Sequence, residues 1–163
     1  MNLCTHESYP RRIRRMSRRV LRGFSPQDFA TARTRAGLSV SDLARMADVA
    51  VSTIHHWEAG TRSPQIDILA NVMKVLHAPI ESVVLIPTDH RYPSDWRAIK
   101  GLTQPQLAAA AHMPTATIQR IERADYPLSD KNAQTIAYVL GISVEEYKAA
   151  YQRARKRPAG TPP

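Results

Sequence analysis

A single cysteine, Cys4, stands among the 163 residues, so the chain cannot close an internal disulfide. That excludes a disulfide-stapled scaffold and fits a reducing cytosol. Long apolar runs are missing too. Stretches such as Val83-Val84-Leu85-Ile86 fall far short of the roughly 20 residues a spanning helix needs. No apolar segment of about 7–15 residues follows the N-terminal arginines, so no signal peptide is expected. The expected location is cytoplasmic, with no membrane contact. The sequence also lacks a nucleophile elbow, a phosphate loop and a catalytic pair of carboxylates. Six histidines are present, but adjacent His55 and His56 would point to different helix faces, His77 and His90 suit surface or cap positions, and no Cys/His ligand spacing occurs. Neither an enzyme, a metal nor a cofactor is expected.

Acidic residues are in deficit, 14 against 23 Lys and Arg, which leaves a net charge of +9. The imbalance lies at the ends. Residues 1–23 carry +6, residues 151–163 carry +4, and residues 24–148 carry −1. Basic tails on a near-neutral body are the footprint of polyanion binding. Arginine-rich segments without a packable apolar face are expected to remain mobile in the free protein.

What the chain does contain is a repeat with a constant offset of 64. Gly37-Leu38-Ser39 returns as Gly101-Leu102-Thr103, and Leu43-Ala44 as Leu107-Ala108. Thr53-Ile54 returns as Thr117-Ile118, Glu58 as Glu122, Val75-Leu76 as Val139-Leu140, and Glu81 as Glu145. Two copies are too few for a solenoid, which needs at least about three. The chain therefore divides into a basic arm at 1–23, a first domain at 24–86, a linker at 87–92, a second domain at 93–150 and a basic tail at 151–163. Domains of about 60 residues are small but can fold when their helices pack well.

Start and stop signals cut each copy into five short helices, and the fold class is all-α. Ser25-Pro26-Gln27-Asp28 opens the first helix and Gly37 suits its left-handed end. Ser39-Val40-Ser41-Asp42 starts a second, to about Ala47. A third covers about 51–59. Ser63-Pro64 is expected to cap a fourth, and a fifth spans about Ile80 to Leu85. In the second copy Pro93 opens the first helix and Gly101 closes it. Thr103-Gln104-Pro105-Gln106 is a capping box, further helices start near Thr115 and Asp130, Gly141 ends the fourth, and Ser143 caps a last helix that can run on through Tyr151.

The centre of each copy is two short helices joined by a tight turn, at 43–58 and 107–122. Leu43, Ala44, Val49, Ile54 and Trp57, and likewise Leu107, Ala108, Met113, Ile118 and Ile121, are spaced to pack each pair. The turn needs positive φ, which Asp48 and His112 tolerate better than most residues. This pattern resembles the helix-turn-helix of the lambda-repressor and Cro-like (Xre) family, over about 26–86 and 92–150. The resemblance implies that the second helix of each pair enters the DNA major groove. The residues it places there are Val51, Ser52, His55 and His56, with Arg62 beyond, in the first copy. In the second they are Thr115, Ala116, Gln119 and Arg120, with Gln104 heading the supporting helix, where the first copy has Val40. It also implies structural ion pairs, Arg33 with Glu58 and Arg97 with Glu122. Arg11, Arg12, Arg14 and Arg15 in the arm are expected to follow DNA phosphates.

The implied function is a sequence-specific, double-stranded DNA-binding transcriptional regulator, a repressor of phage, plasmid or bacterial type. Its two heads would read two half-sites, and the bound protein would associate with the nucleoid. Two alternatives stand beside it: an architectural or partition DNA-binding protein, and an antitoxin- or adaptor-type interaction module. A self or regulatory protein partner is compatible with each.

Overall fold

A computed structural model describes residues 21–163. Arg11, Arg12, Arg14 and Arg15, and with them most of the arm, lie outside the described residues. The first lobe contains α1 (Pro26–Arg35), α2 (Val40–Met46), α3 (Val51–Glu58) and α4 (Ile66–Val75), followed by a 3-10 turn at Ile80–Ser82. The second contains α5 (Pro93–Ile99), α6 (Gln104–Ala110), α7 (Thr115–Glu122), α8 (Asp130–Leu140) and α9 (Val144–Arg155). Among the described residues no strand forms beyond one isolated antiparallel bridge, Phe24 to Val84.

Local chemistry accounts for most boundaries. Ser25, Ser39, Thr103, Ser129 and Ser143 each accept a hydrogen bond from the backbone N–H three residues on. Each thereby satisfies one of the orphan donors of a helix start. Thr103 with Gln106 and Ser143 with Glu146 complete reciprocal capping boxes. The helix-turn-helix turns pass through Asp48 and His112, both at φ 53°. Short polar side chains tolerate that left-handed conformation.

Two boundaries differ from the sequence expectation, each for a definable reason. Ser63 does not cap α4, whose N-cap is Gln65 without a side-chain bond. Its hydroxyl is taken by the Leu21 N–H at 2.7 Å. The fifth element of the first lobe is a single 3-10 turn because the chain beyond it pairs with the segment before α1. The Ser25 N–H donates to the Val83 carbonyl and the Leu85 N–H to the Gly23 carbonyl, both at 2.8 Å. As expected, α9 runs on past Tyr151 into the basic tail, to Arg155, with Tyr151 and Ala154 buried in the second core.

Each lobe has its own core. Phe29, Leu43, Ile54, Trp57, Leu69 and Val72 form the centre of the first, and Phe24, Phe29 and Trp57 meet there with ring centroids 5.5–6.5 Å apart. Leu107, Ile118, Ile121, Ile136, Leu140 and Tyr147 form the centre of the second. Ile99, the last residue of α5, is buried with the first core although its helix belongs to the second lobe.

The segment at 87–92 is therefore a packed strut. It contains a 3-10 turn at Thr88–His90, and Arg91 is buried. The Arg91 side chain donates to the Ile86 carbonyl at 2.9 Å and to Glu81 at 3.1 Å, and lies 4.5 Å from the Trp96 ring centroid. From α9, Arg153 donates to the carbonyls of Arg91 and Thr88.

Tyr147 is fully buried and its hydroxyl has no hydrogen-bond partner. Burial, reinforced by the nearby Glu122 carboxylate, pushes its ionisation far above the ordinary tyrosine range. A buried hydroxyl without a partner costs about 1–3 kcal/mol. Tyr147→Phe keeps the ring and removes that cost, so stability in urea should rise by roughly 1 kcal/mol. A loss of stability would show that the hydroxyl is bonded in solution.

Candidate nucleic-acid interface

The reading surface depends on how α3 and α7 are held. In the second lobe Arg97, on α5, donates from Nε and Nη2 to the two oxygens of Glu122 at 2.5 and 3.1 Å. Its Nη1 reaches the Leu102 carbonyl at 2.8 Å. One guanidinium thus ties α5, the turn before α6 and the end of α7. Arg33, Glu58 and Leu38 repeat the arrangement in the first lobe at 2.6, 3.1 and 2.8 Å. The bond to Glu58 raises the pKa of Arg33 above the ordinary arginine value.

The two pairs differ in burial. Arg33 and Glu58 are 17% and 18% exposed, whereas Arg97 and Glu122 are 11% and 1% exposed. Gln104 accounts for part of the difference, since its amide donates to Glu122 at 2.7 Å. That bond uses one amide N–H of Gln104 to couple the start of α6 to the end of α7. Val40 stands at the corresponding place and offers no such bond.

With their apolar sides buried through Ile54 and Trp57, or Ile118 and Ile121, α3 and α7 turn their remaining faces outward. Val51, Ser52 and His55 are exposed on α3, with His56 half-buried. Ala116, Gln119 and Arg120 are exposed on α7, with Thr115 half-buried. Arg62 is exposed in the turn after α3. Neither α3 nor α7 has a side-chain cap, so the N–H groups at both starts have no side-chain acceptor. Such groups favour anions.

The side chains at positions 56 and 120 are held from beyond the helix end. His56 Nδ1 lies 2.9 Å from the Thr61 hydroxyl. Arg120 lies 3.9 Å from Asp125 and its guanidinium sits 4.8 Å from the Tyr126 ring centroid. Thr61 and Asp125 are counterparts at the 64-residue offset. The family resemblance pointed to α3 and α7 and passed over these contacts, although Thr61 and Asp125 stand five residues after His56 and Arg120.

The C-terminal arginines are engaged with protein carbonyls. Arg155 donates to the Ala124 carbonyl at 3.2 Å and Arg157 to the Arg123 carbonyl at 2.8 Å. Both acceptors belong to the carboxyl end of α7, where cations oppose the negative end of the helix dipole. The tail supports a reading helix as well as carrying charge.

Two short helices joined by a left-handed turn, with the second exposed at its start, have this arrangement twice, and a helix-turn-helix family model matches the chain at residues 29–83 and 95–147. The chain belongs to the lambda-repressor-like (Xre) helix-turn-helix family. No curated protein matches it. This Xre-family protein is a DNA-binding transcription regulator, and its ligand is double-stranded DNA. Among the described residues, no helix is long and apolar enough to cross a membrane.

The unequal burial of the two ion pairs makes them unequal in stability. Removing one partner of a buried pair costs about 3–5 kcal/mol, so Glu122→Gln should approach that loss. Glu58→Gln, with both partners in partial contact with water, should cost roughly 1–2 kcal/mol less than that. Denaturant unfolding of the two variants checks the order, and equal losses would contradict it.

Proposed function

We propose that this regulator is a sequence-specific repressor whose two lobes, at 24–86 and from 93 onward, each read one half-site of double-stranded DNA. The observation that carries this reading is the preparation of Arg120. Its guanidinium is exposed on α7, 4.8 Å from the Tyr126 ring centroid and 3.9 Å from Asp125, contacts that favour an extended pose over the helix end. Arginine can address guanine O6 and N7 with two parallel hydrogen bonds, worth about 1–3 kcal/mol of discrimination. A preformed pose lowers the entropy lost on making them.

The first lobe offers a different surface. Val51 is 42% exposed and Met46 50% exposed near its reading helix. An exposed valine suits the methyl of thymine, with Ser52, His55 and Arg62 able to reach backbone or base edges. Gln119 and Thr115 supplement Arg120 in the second lobe, and Gln104 holds the start of α6 in register. Occupation of a promoter by two adjoining lobes blocks it, so repression requires nothing beyond binding. The exposed Met46 and Val51 also favour a second reading, in which the first lobe docks a protein partner as an adaptor or antitoxin does.

Arg120→Ala tests the base-reading role. Affinity for a selected site should fall roughly tenfold or more, with little change on random DNA, as expected for loss of a contact worth 1–3 kcal/mol. Equal losses on both would make Arg120 a phosphate contact. Footprinting of the wild type separates the readings of the first lobe, because protection confined to one half-site would favour the partner-docking role.

The arm and tail are proposed to supply affinity without sequence information. The body at 24–148 carries −1, so long-range attraction must come from the ends. Residues 1–20 contain six arginines, among them Arg11, Arg12, Arg14 and Arg15. Each phosphate contact contributes about −0.9 to the slope of log K against log salt. Deleting residues 1–20 should flatten the slope by several units and leave the ranking of DNA sites unchanged. An unaltered slope would assign the phosphate contacts to the folded lobes.

A further inference from the structure

The two lobes meet through unlike faces. On the first lobe the contact surface is α4 and the following 3-10 turn, where Ala70 and Ile80 stand. On the second it is the end of α5 and the turn at Gly101. A Cβ at Gly101 would lie 3.1 Å from both Ala70 Cβ and Ile80 Cδ1, and Ile99 is buried in the first core. The offset of 64 tests whether this contact is reciprocal. The counterparts of Ile99 and Gly101 are Arg35 and Gly37, both exposed, and a Cβ at Gly37 would meet nothing within 4 Å. The counterpart of Ala70 is Gln134, also exposed. Ile99, Gly101 and Ala70 are buried or half-buried at the join, whereas their counterparts are exposed, and Val144, the counterpart of Ile80, packs against its own core. A two-fold pair buries the same patch on both partners, so the lobes are joined head to tail.

The order of the DNA-facing parts follows from that join. Pro64, Gln65 and Asp67, which come after the first reading helix, line one groove together with Ala98 and Thr103. Thr103 is the N-cap of α6, the leading end of the second helix-turn-helix. The start of α4, just beyond the first helix-turn-helix, therefore faces the leading end of the second. A latch keeps them there. Arg22 donates to Asp95 at 2.5 Å and to the His90 carbonyl at 3.2 Å, and lies 4.6 Å from the Tyr92 ring centroid. The adjacent Leu21 N–H is bonded to Ser63 of the first lobe. Arg91 and Arg153 brace the strut on the other side.

We infer that one chain reads an asymmetric, bipartite DNA site whose two halves run in the same direction at a fixed spacing, rather than an inverted repeat read by a symmetric pair. This rests on the proposal that both lobes contact DNA. The halves differ in content as well, because positions 56 and 120 hold histidine and arginine.

Selection of bound duplexes from a random pool with the full-length chain, together with the mass of the resulting complex, tests the inference. The expected motif has no dyad, comprises two blocks in one orientation with guanine in the block read by Arg120, and is bound by one chain. Inserting one base pair between the blocks should weaken binding roughly tenfold or more, comparable to a mismatch. Arg22→Ala, which opens the latch at a half-exposed side chain, should shrink that penalty. An inverted repeat carrying two chains, or a spacing that tolerates insertion, would overturn the inference and leave the two-lobe repressor reading intact, whereas a single block would overturn the inference together with the reading of one half-site by each lobe. A pool without enriched sequence would overturn both.

Discussion

The structure depends most on one guanidinium in each lobe. Arg33 and Arg97 each spend two N–H groups on a glutamate at the end of a reading helix and a third on a carbonyl in the turn ahead of the supporting helix. The arrangement fixes three elements at once, and a planar fork does this where an ammonium cannot. The apolar cores hold the helices together, but oily contacts alone allow sliding. Charges this poorly solvated tolerate little displacement, so they set the angle at which α3 and α7 leave the body.

Around that shared frame the lobes have diverged in opposite senses. The second lobe has polar groups inside, with Gln104 against Glu122 and the Tyr147 hydroxyl beneath. The first has Val40 and Val83 at the corresponding positions. The first lobe instead supplies the apolar seat that accepts Ile99, and this explains why a residue that is exposed arginine in one copy is buried isoleucine in the other. At the reading surface the polarity reverses again. Arginine stands over tyrosine in one lobe, while the other has histidine beside threonine with valine at the head of its helix.

Much of the fold was legible because its signals are local. Capping residues, Gly37, Gly101 and Gly141, and the turn residues Asp48 and His112 act within a few positions of where they stand, so their spacing marks the helix limits directly. The cap assigned to Ser63 failed because a distant group, the Leu21 amide, competes for its hydroxyl. The early end of the fifth element had the same kind of cause, since pairing with residues 23–25 draws the chain away from a helix. The candidate reading residues were accessible through position within the motif. Their supports were harder to find: Tyr126 lies against Arg120 across a turn, and Arg157 reaches the end of α7 from the bend after α9. The join between lobes left one trace in the sequence, the contrast of Ile99 with Arg35. It becomes informative only when the repeat is aligned and the departures from it are considered along with the matches.

The unlike contact between the lobes also bears on how such a protein can change. In a symmetric homodimer a substitution in the reading helix appears twice and must suit both halves of its target. Here the two helices are encoded separately, and in the proposed bipartite reading each meets its own base pairs. A substitution at position 56 leaves position 120 untouched, so under that reading each half of the target would drift with its own lobe while the other continued to anchor the complex. Joining two copies in one chain therefore turns a duplicated domain into two independently adjustable words of a single address.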